Sequence, residues 1–492
     1  MSVAPASPRR LVRNLSFLGG GQLVTWMLTL VWTLVVPRLI GPAAMGLIVM
    51  ATAAGGILTG LAGMGSKPMM VKEVAANPRQ APRLLGTALV VRSALIIPCA
   101  GLVAGYVHVA GFTGARATAL YLAVGLAAFS LLAEVIQAGL QGIERMGFIA
   151  ANDVINKGLQ TILTIPMAVL GFAATWLIGL QVAVAGLVTG LNLVWGRRFR
   201  IEWRVDLDDL GAFLIHSLTY WAYAFFFTFY LWLDSTLLSL MAPAQVVGWY
   251  GVATRFFQTL MFLPVIISTA WLPRLAAAYQ RDPRTLEATA RIPIVLAIVL
   301  GLPVAAGVVL VSRPLVLLLY GPAYAPSVPA LRFLAVTCVP MYLNIVLNQV
   351  LTASNRQRAW TRVMLVASAC NLAMNLVLIR FFQAREGNGA VGAALSMLGT
   401  ELVIVVVGIW LLREHFRAGV WWRFARALLA TVVMAVAARA AGSRFGLWPE
   451  VVVGMASFAV LAVILRLVSS AELSELLGGQ PLPWIGRRRG PR

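Results

Sequence analysis

Leu39-Ile40-Gly41-Pro42-Ala43-Ala44-Met45-Gly46 joins two long apolar runs, and a second version, Leu240-Met241-Ala242-Pro243-Ala244-Gln245-Val246-Val247-Gly248, joins two more further along. A second pair keeps the same order: Leu140 to Arg145 closes one apolar run and Leu351 to Arg356 closes another. Six predicted helices separate the copies. Because six is even, both copies enter a bilayer in the same direction, which makes a parallel repeat about an axis along the membrane normal. The pattern predicts two six-helix lobes facing each other across a cavity, the layout of an alternating-access transporter.

Working outward from the repeat, apolar runs of roughly 20 residues, enough to cross a hydrocarbon core about 30 Å thick, recur along the whole chain. They fall near 15–36, 46–65, 85–107, 118–141, 150–171, 173–195, 212–240, 252–272, 292–312, 330–352, 362–382, 391–412, 424–441 and 451–468. The expected fold is an all-α polytopic membrane protein with about fourteen spanning helices. Its parts are an N-terminal lobe over 1–200, a C-terminal lobe over 201–415, an extra helix pair over 416–470 and a basic tail over 471–492. The fifth span is the weakest because it carries Asp153 and Lys157, and the thirteenth carries Arg439.

Composition excludes a soluble globular protein: 60% of residues are apolar and 11% charged, with a mean hydropathy of +0.87. Basic residues test the span assignment independently, since cytoplasmic loops are enriched in Lys and Arg. With Arg9, Arg10 and Arg13 inside, alternate loops are the basic ones: Lys67, Lys72, Arg79 and Arg83, then Arg197, Arg198 and Arg200, then Arg274, Arg281, Arg284 and Arg291. Arg356, Arg358, Arg362, Arg413, Arg417 and the tail Arg487 to Arg489 continue the alternation. Both termini are therefore expected in the cytoplasm, and the membrane is expected to be the plasma membrane. The net charge of +22 then belongs to loops lying against anionic lipid headgroups. Nucleic acid is not an expected partner, because no basic domain with interleaved aromatics stands in water. Cys99, Cys338 and Cys370 show no disulfide or metal-ligand spacing, so neither metal nor cofactor is expected.

Ionisable groups inside spans are costly and mark function or pairing. Arg92 in the third span and Glu134 in the fourth reach similar depth, either as an ion pair joining two helices or as cavity lining. Lys157 either lines the cavity or snorkels to the inner surface. Asp234 and Arg255 stand near the outer ends of their helices, where they pair with each other or serve the cargo. Glu401 is the deepest carboxylate, a protonatable coupling group or a hydrogen-bonded structural one. Asn344 and Asn348, like Asn371 and Asn375, are four residues apart and share a helical face; they bond helices together or contact sugar. Gly56 and Gly60, with Gly101 and Gly105, have the spacing of close helix packing.

These residues resemble the polysaccharide flippases of the MOP superfamily, which also holds MATE drug antiporters and lipid II flippases. In the first lobe the likeness rests on Arg13-Asn14, Pro37 to Pro42 with Gly46, Gly63-Met64-Gly65 and Val71 to Ala75. In the second it rests on Asp234 to Leu238, Val247 to Arg255, Pro264, Pro273-Arg274, Leu351 to Arg358, Asn375 to Ile379 and Gly392-Ala393-Ala394. The resemblance implies a protein that moves an oligosaccharide on polyprenyl pyrophosphate from the inner to the outer leaflet, for cell-surface polysaccharide synthesis. It implies lipid and lipid-linked sugar as partners, with polymerase or other assembly proteins beside them. Helices after the repeat border a groove for the lipid tail in related flippases.

Two departures bear on the branch. Lipid II flippases carry an arginine-aspartate pair in the first helix and many MATE antiporters an aspartate there, whereas 15–36 holds no charge. A membrane-embedded glycosyltransferase or glycan ligase is the reading from another class. It would need carboxylates and histidines on a sizeable outer loop, and the segment 313–329 has neither. No phosphate-binding G-x-x-x-x-G-K-[ST] loop is present.

Overall fold

The structure, a computed structural model, describes residues 8–78, 81–198, 210–281, 283–413 and 418–468. Among these, the regular elements are fifteen α-helices and one short 3-10 helix. They are α1 (Pro8–Gly63), α2 (Ser66–Ala76), α3 (Ala81–Val109), α4 (Gly114–Gly142), α5 (Met146–Val169), α6 (Ala174–Arg198), α7 (Leu210–Met241) and α8 (Ala244–Leu260). Then come α9 (Phe262–Arg281), α10 (Pro283–Tyr320), the 3-10 helix (Pro322–Ser327), α11 (Val328–Ala353), α12 (Gln357–Glu386), α13 (Gly389–Leu411), α14 (Ala418–Phe445) and α15 (Leu447–Ile464).

Twelve described stretches are long and apolar enough to cross a membrane, and the chain is a multi-pass membrane protein. The first, Gly19–Gly63, has 45 residues and a length of about 68 Å at the rise of an α-helix, twice the hydrocarbon thickness. Gly41 divides it. With φ 76° and ψ 170° Gly41 occupies backbone space that side chains disfavour, and the proline that follows removes a donor and disfavours helix before it. The expected gap between the first two spans is thus one sharp break, with no loop. Helix α5 has 24 residues but is not among the twelve, because Asn152, Asp153, Asn156, Lys157 and Gln160 dilute its apolar character.

Two further expectations change. The stretch after residue 65, expected as a loop, begins with the short helix α2, entered through left-handed residues at Met64 (φ 51°) and Gly65 (φ 56°). The outer segment expected over 313–329 is mostly helical: α10 runs on to Tyr320 and a 3-10 turn follows.

The repeat is visible as local conformation. The Arg145 amide donates to the Leu140 carbonyl at 2.9 Å, and the Arg356 amide donates to the Leu351 carbonyl at 2.8 Å. The residue before each arginine is left-handed, Glu144 at φ 60° and Asn355 at φ 57°. Both copies therefore end their helix in the same αL turn.

Packing divides the chain into two units. The first comprises the described residues within 1–252, 317–327 and 372–393, and the second those within 253–316, 328–371 and 394–492. These units group residues by contact and do not coincide with the 1–200 and 201–415 lobes inferred from the repeat. In the first unit α1 packs on α4, α5 and α7, while α4 also holds α2, α3 and α6. Met70, Val74, Leu85, Ala88, Val135, Ile136 and Leu140 form the apolar core where α2, α3 and α4 meet. In the second unit α9 packs on α11, and α14 pairs with α15 as a hairpin. The outward faces are apolar, with Ile97 74% and Val463 78% exposed, as surfaces solvated by lipid tails require.

Candidate functional site

The chemistry of the first unit begins at Arg92, whose side chain is 1% exposed. One guanidinium nitrogen, Nη1, donates to the Leu131 carbonyl at 2.9 Å and to Glu134 Oε2 at 2.9 Å. The other, Nη2, donates to the Gly63 carbonyl at 3.2 Å and to Ser66 Oγ at 3.0 Å. The left-handed turn between α1 and α2 is what brings Gly63 and Ser66 to the same point, and Ser66 Oγ in turn donates to the Gly63 carbonyl at 2.8 Å. Arg92 thus ties α1, α2 and α4 to α3 with its four terminal N–H donors, the geometry a planar fork supplies and an ammonium does not.

Glu134 has a second cation beside it. Lys67 Nζ lies 3.9 Å from Glu134 Oε1, with side chains 36% and 29% exposed. Both line a cavity of about 710 Å³, a volume within the range of small-molecule sites. Its charged lining is Lys67, Arg92, Lys157 and Glu134, so three cations face one carboxylate; leaving Lys157 aside, cations still outnumber anions two to one. Uncharged donors and acceptors complete the wall: Asn156 and Gln160 of α5, Gln181 of α6, and Thr52, Thr59, Ser130 and Thr228. Gln160 Nε2 donates to Asn156 Oδ1 at 2.8 Å, which orients the amides as a pair.

One wall is nearly bare backbone. Gly55, Gly56, Gly60 and Gly63 of α1 line it; α7 crosses closely at Gly56 and Gly60, while Gly55 and Gly63 face α4. A Cβ on Gly60 would come within 2.8 Å of the Thr228 side chain, and one on Gly56 within 2.6 Å of the Trp232 ring. The expected close packing of Gly56 and Gly60 is therefore present, and it leaves the Trp232 indole at the cavity edge. Gly101 and Gly105 have open space around them.

The other expected site residues lie elsewhere. Asp234, 7% exposed, accepts from Asn375 Nδ2 at 2.6 Å and from the Tyr250 hydroxyl at 3.1 Å. Arg255 is half-buried on α8. In the second unit Asn344 Nδ2 donates to the Glu401 carboxylate and, at 3.1 Å, to its carbonyl. Asn371 Nδ2 donates to Thr400 Oγ1 at 3.2 Å, and Asn348 Oδ1 accepts from Thr352 Oγ1 at 3.5 Å. Of the expected residues, the cavity gathers Arg92, Lys157 and Glu134; its lining includes none of Asp234, Arg255, Glu401, Asn344, Asn348, Asn371 and Asn375. It adds Lys67, Asn156, Gln160, Gln181 and Trp232, which sequence reasoning passed over. The signal available for α5 was its polar stripe, with Asn156, Lys157 and Gln160 within about one turn.

The comparisons with known proteins bear on this fold. A model of the family described as polysaccharide biosynthesis protein matches residues 35–329, more than half of the chain. The chain belongs to this family. A second family model, described as lipid II flippase MurJ, matches residues 231–461. No curated protein matches. Among solved structures, the chain is similar to a lipid II flippase MurJ in an inward closed conformation, at 12% identity and a TM-score of 0.74, covering 92% of this chain and 99% of that one. It is similar also to an inward-facing multidrug resistance MATE family transporter of the MOP superfamily, at 17% identity and a TM-score of 0.58, with 82% and 97% covered. A MOP superfamily transporter from Pyrococcus furiosus shares 17% identity at a TM-score of 0.52, with 85% and 96% covered. At such identities the likeness is one of fold.

Proposed function

We propose that this protein is a flippase that carries an oligosaccharide on polyprenyl pyrophosphate from the inner to the outer leaflet of the plasma membrane by alternating access. The observation that carries the reading is the lining of the first unit's cavity, where Lys67 and Arg92 outweigh Glu134 amid amides and hydroxyls. Surplus positive charge attracts a pyrophosphate, and amides and hydroxyls replace the water that sugar hydroxyls lose inside hydrocarbon. A pocket for hydrophobic cations would need the opposite balance, which disfavours drug antiport. The enrichment of basic residues in alternate loops supports a cytoplasmic position for the Lys67 end of the cavity, the side on which lipid-linked sugars are assembled. Polymerase or other assembly proteins fit as partners downstream.

Lipid II as cargo is the second reading, favoured by the family-model match over 231–461. It uses the same pyrophosphate chemistry and differs in the glycan, and the charge-free stretch 15–36 sets this chain apart from lipid II flippases. Deleting the gene and identifying the lipid-linked sugar that accumulates on the inner leaflet decides between the two. Accumulation of an oligosaccharide other than lipid II supports the first reading, accumulation of lipid II supports the second, and accumulation of neither contradicts both.

A further inference from the structure

Arg92 and Lys67 stand on either side of Glu134, and of these two only Lys67 has donors to give. Both Nη nitrogens of Arg92 are engaged, by Leu131, Glu134, Gly63 and Ser66, and its Nε is buried out of reach. A guanidinium has five N–H groups, so an arriving anion finds none of the terminal four open. Lys67 differs: its side chain is 36% exposed and its ammonium stands 3.9 Å from Glu134 Oε1, close enough for attraction and too far for a tight hydrogen bond. Glu134 sits between them, fixed through Oε2 by Arg92 and facing Lys67 with Oε1.

Resting on the flippase reading, we infer that Glu134 is a resident counter-ion that holds Lys67 in the empty cavity and yields it to the phosphate of the cargo. Lys67 then stays paired throughout, moving from carboxylate to phosphate by rotation of its flexible stem. Glu134 stays paired too, because Arg92 is pinned by two main-chain carbonyls and Ser66 and cannot follow. No charge is left uncompensated in a low-dielectric site, the state that costs most. The carboxylate also repels the bound phosphate, which keeps the cargo loose enough to leave. Arg92 is in this arrangement a positioning residue, Lys67 the direct contact, and Glu134 the group that sets affinity.

The arrangement is tested with inorganic pyrophosphate as the probe, titrated into purified protein in nanodiscs. Glu134→Gln keeps an oxygen for Arg92 and removes the charge, so it tightens pyrophosphate binding by roughly three- to fivefold, the range of a partly exposed ion pair. Lys67→Met weakens binding by a similar factor, and in the Lys67→Met background Glu134→Gln gives clearly less tightening than in the wild type. Should Glu134→Gln fail to fold, amine modification of the wild type supplies the same answer, since pyrophosphate must slow the labelling of Lys67. Tighter binding by Glu134→Gln, or protection of Lys67, supports the exchange. Wild-type binding that Glu134→Gln leaves unchanged or weakens, or a Lys67 that labels equally with and without pyrophosphate, overturns it while leaving the flippase reading intact. If neither pyrophosphate nor a polyprenyl-pyrophosphate sugar binds the wild type, the flippase reading fails and the exchange with it.

Discussion

Gly46 and Gly248, the closing glycines of the two repeated motifs, pack back to back: a Cβ on Gly46 would run into the Ala244 carbonyl, and one on Gly248 into the Pro42 carbonyl. The contact is reciprocal, with each copy of the motif presenting its proline-flanked backbone to the other's glycine. This closeness explains why both copies of the motif end in glycine.

Substitution there is expected to destabilise. Backbone cannot retreat as a side-chain tip can, so Gly46→Val or Gly248→Val costs about 1–3 kcal/mol or more through overpacking. Gly101, with nothing within 4 Å of a built Cβ, is the control, and Gly101→Ala is neutral or stabilising by up to about 1 kcal/mol. Thermal unfolding in detergent measures both, and equal melting temperatures for Gly46→Val and the wild type would contradict the packing.

Arg92→Ala removes one donor each from the Gly63 and Leu131 carbonyls and from Ser66, and the closest cation from Glu134; losing one partner of a buried pair costs about 3–5 kcal/mol. Lysine cannot reach four acceptors, so Arg92→Lys restores little. Removing Glu134 as well recovers only part of the loss, because the Arg92 bonds to Leu131, Gly63 and Ser66 stay lost. Yield of monodisperse protein across Arg92→Ala, Arg92→Lys and Arg92→Ala with Glu134→Ala reads this out; full recovery in the double variant would reduce Arg92 to a simple ion pair.

Much of this architecture was legible in the sequence, since span length, basic-loop alternation and the repeat each follow from one-dimensional patterns. The turns after Leu140 and Leu351 have the same geometry because the same backbone problem, ending a helix, recurs at the same point of each copy. The cavity was less legible. Lys67 reads as a loop cation until the turn at Met64 and Gly65 is known, for that turn swings α2 toward α4. Gln181 lies in an apolar run with nothing to mark which neighbour it meets. The polarity of α5, which weakens it as a spanning helix, is the cavity wall itself. The charge count shows the same limit: Arg92, Lys157 and Arg255 balance Glu134, Asp234 and Glu401 on paper. Side-chain contacts instead place Asp234 against Asn375 and Glu401 against Asn344, and put Lys67 in the cavity.

Topology gives a separate expectation. Fourteen crossings require that the chain cross twice between Gly19 and Gly63, with Gly41 at the turn, and that the polar helix α5 cross once. Reporter fusions within the Gly41 to Ala44 segment and after Leu170 then read periplasmic, and fusions after residue 420 and at the C-terminus read cytoplasmic. A periplasmic C-terminus would remove one crossing from the α14 and α15 pair.

Lys157 and Gln160 test the cavity wall without touching the Arg92 clamp. Lys157→Met and Gln160→Leu keep side-chain volume, so folding is retained while transport falls; a loss of about tenfold corresponds to some 1.4 kcal/mol of cargo contact. The ratio of transport rate to folded protein in the same membranes is the measurement. A fall in folded protein parallel to the fall in transport would make both residues structural.

The central claim is that the cavity is built for an anionic, sugar-bearing lipid, and reconstitution tests it directly. Purified protein in liposomes, with a polyprenyl-pyrophosphate oligosaccharide in both leaflets and an impermeant sugar-modifying enzyme outside, should expose to that enzyme the half of the lipid initially inside. Glu134→Gln should change the rate, and the same vesicles should not move a cationic dye down or against a proton or sodium gradient. Dye transport coupled to such a gradient, with no movement or binding of the lipid-linked sugar, would contradict the account.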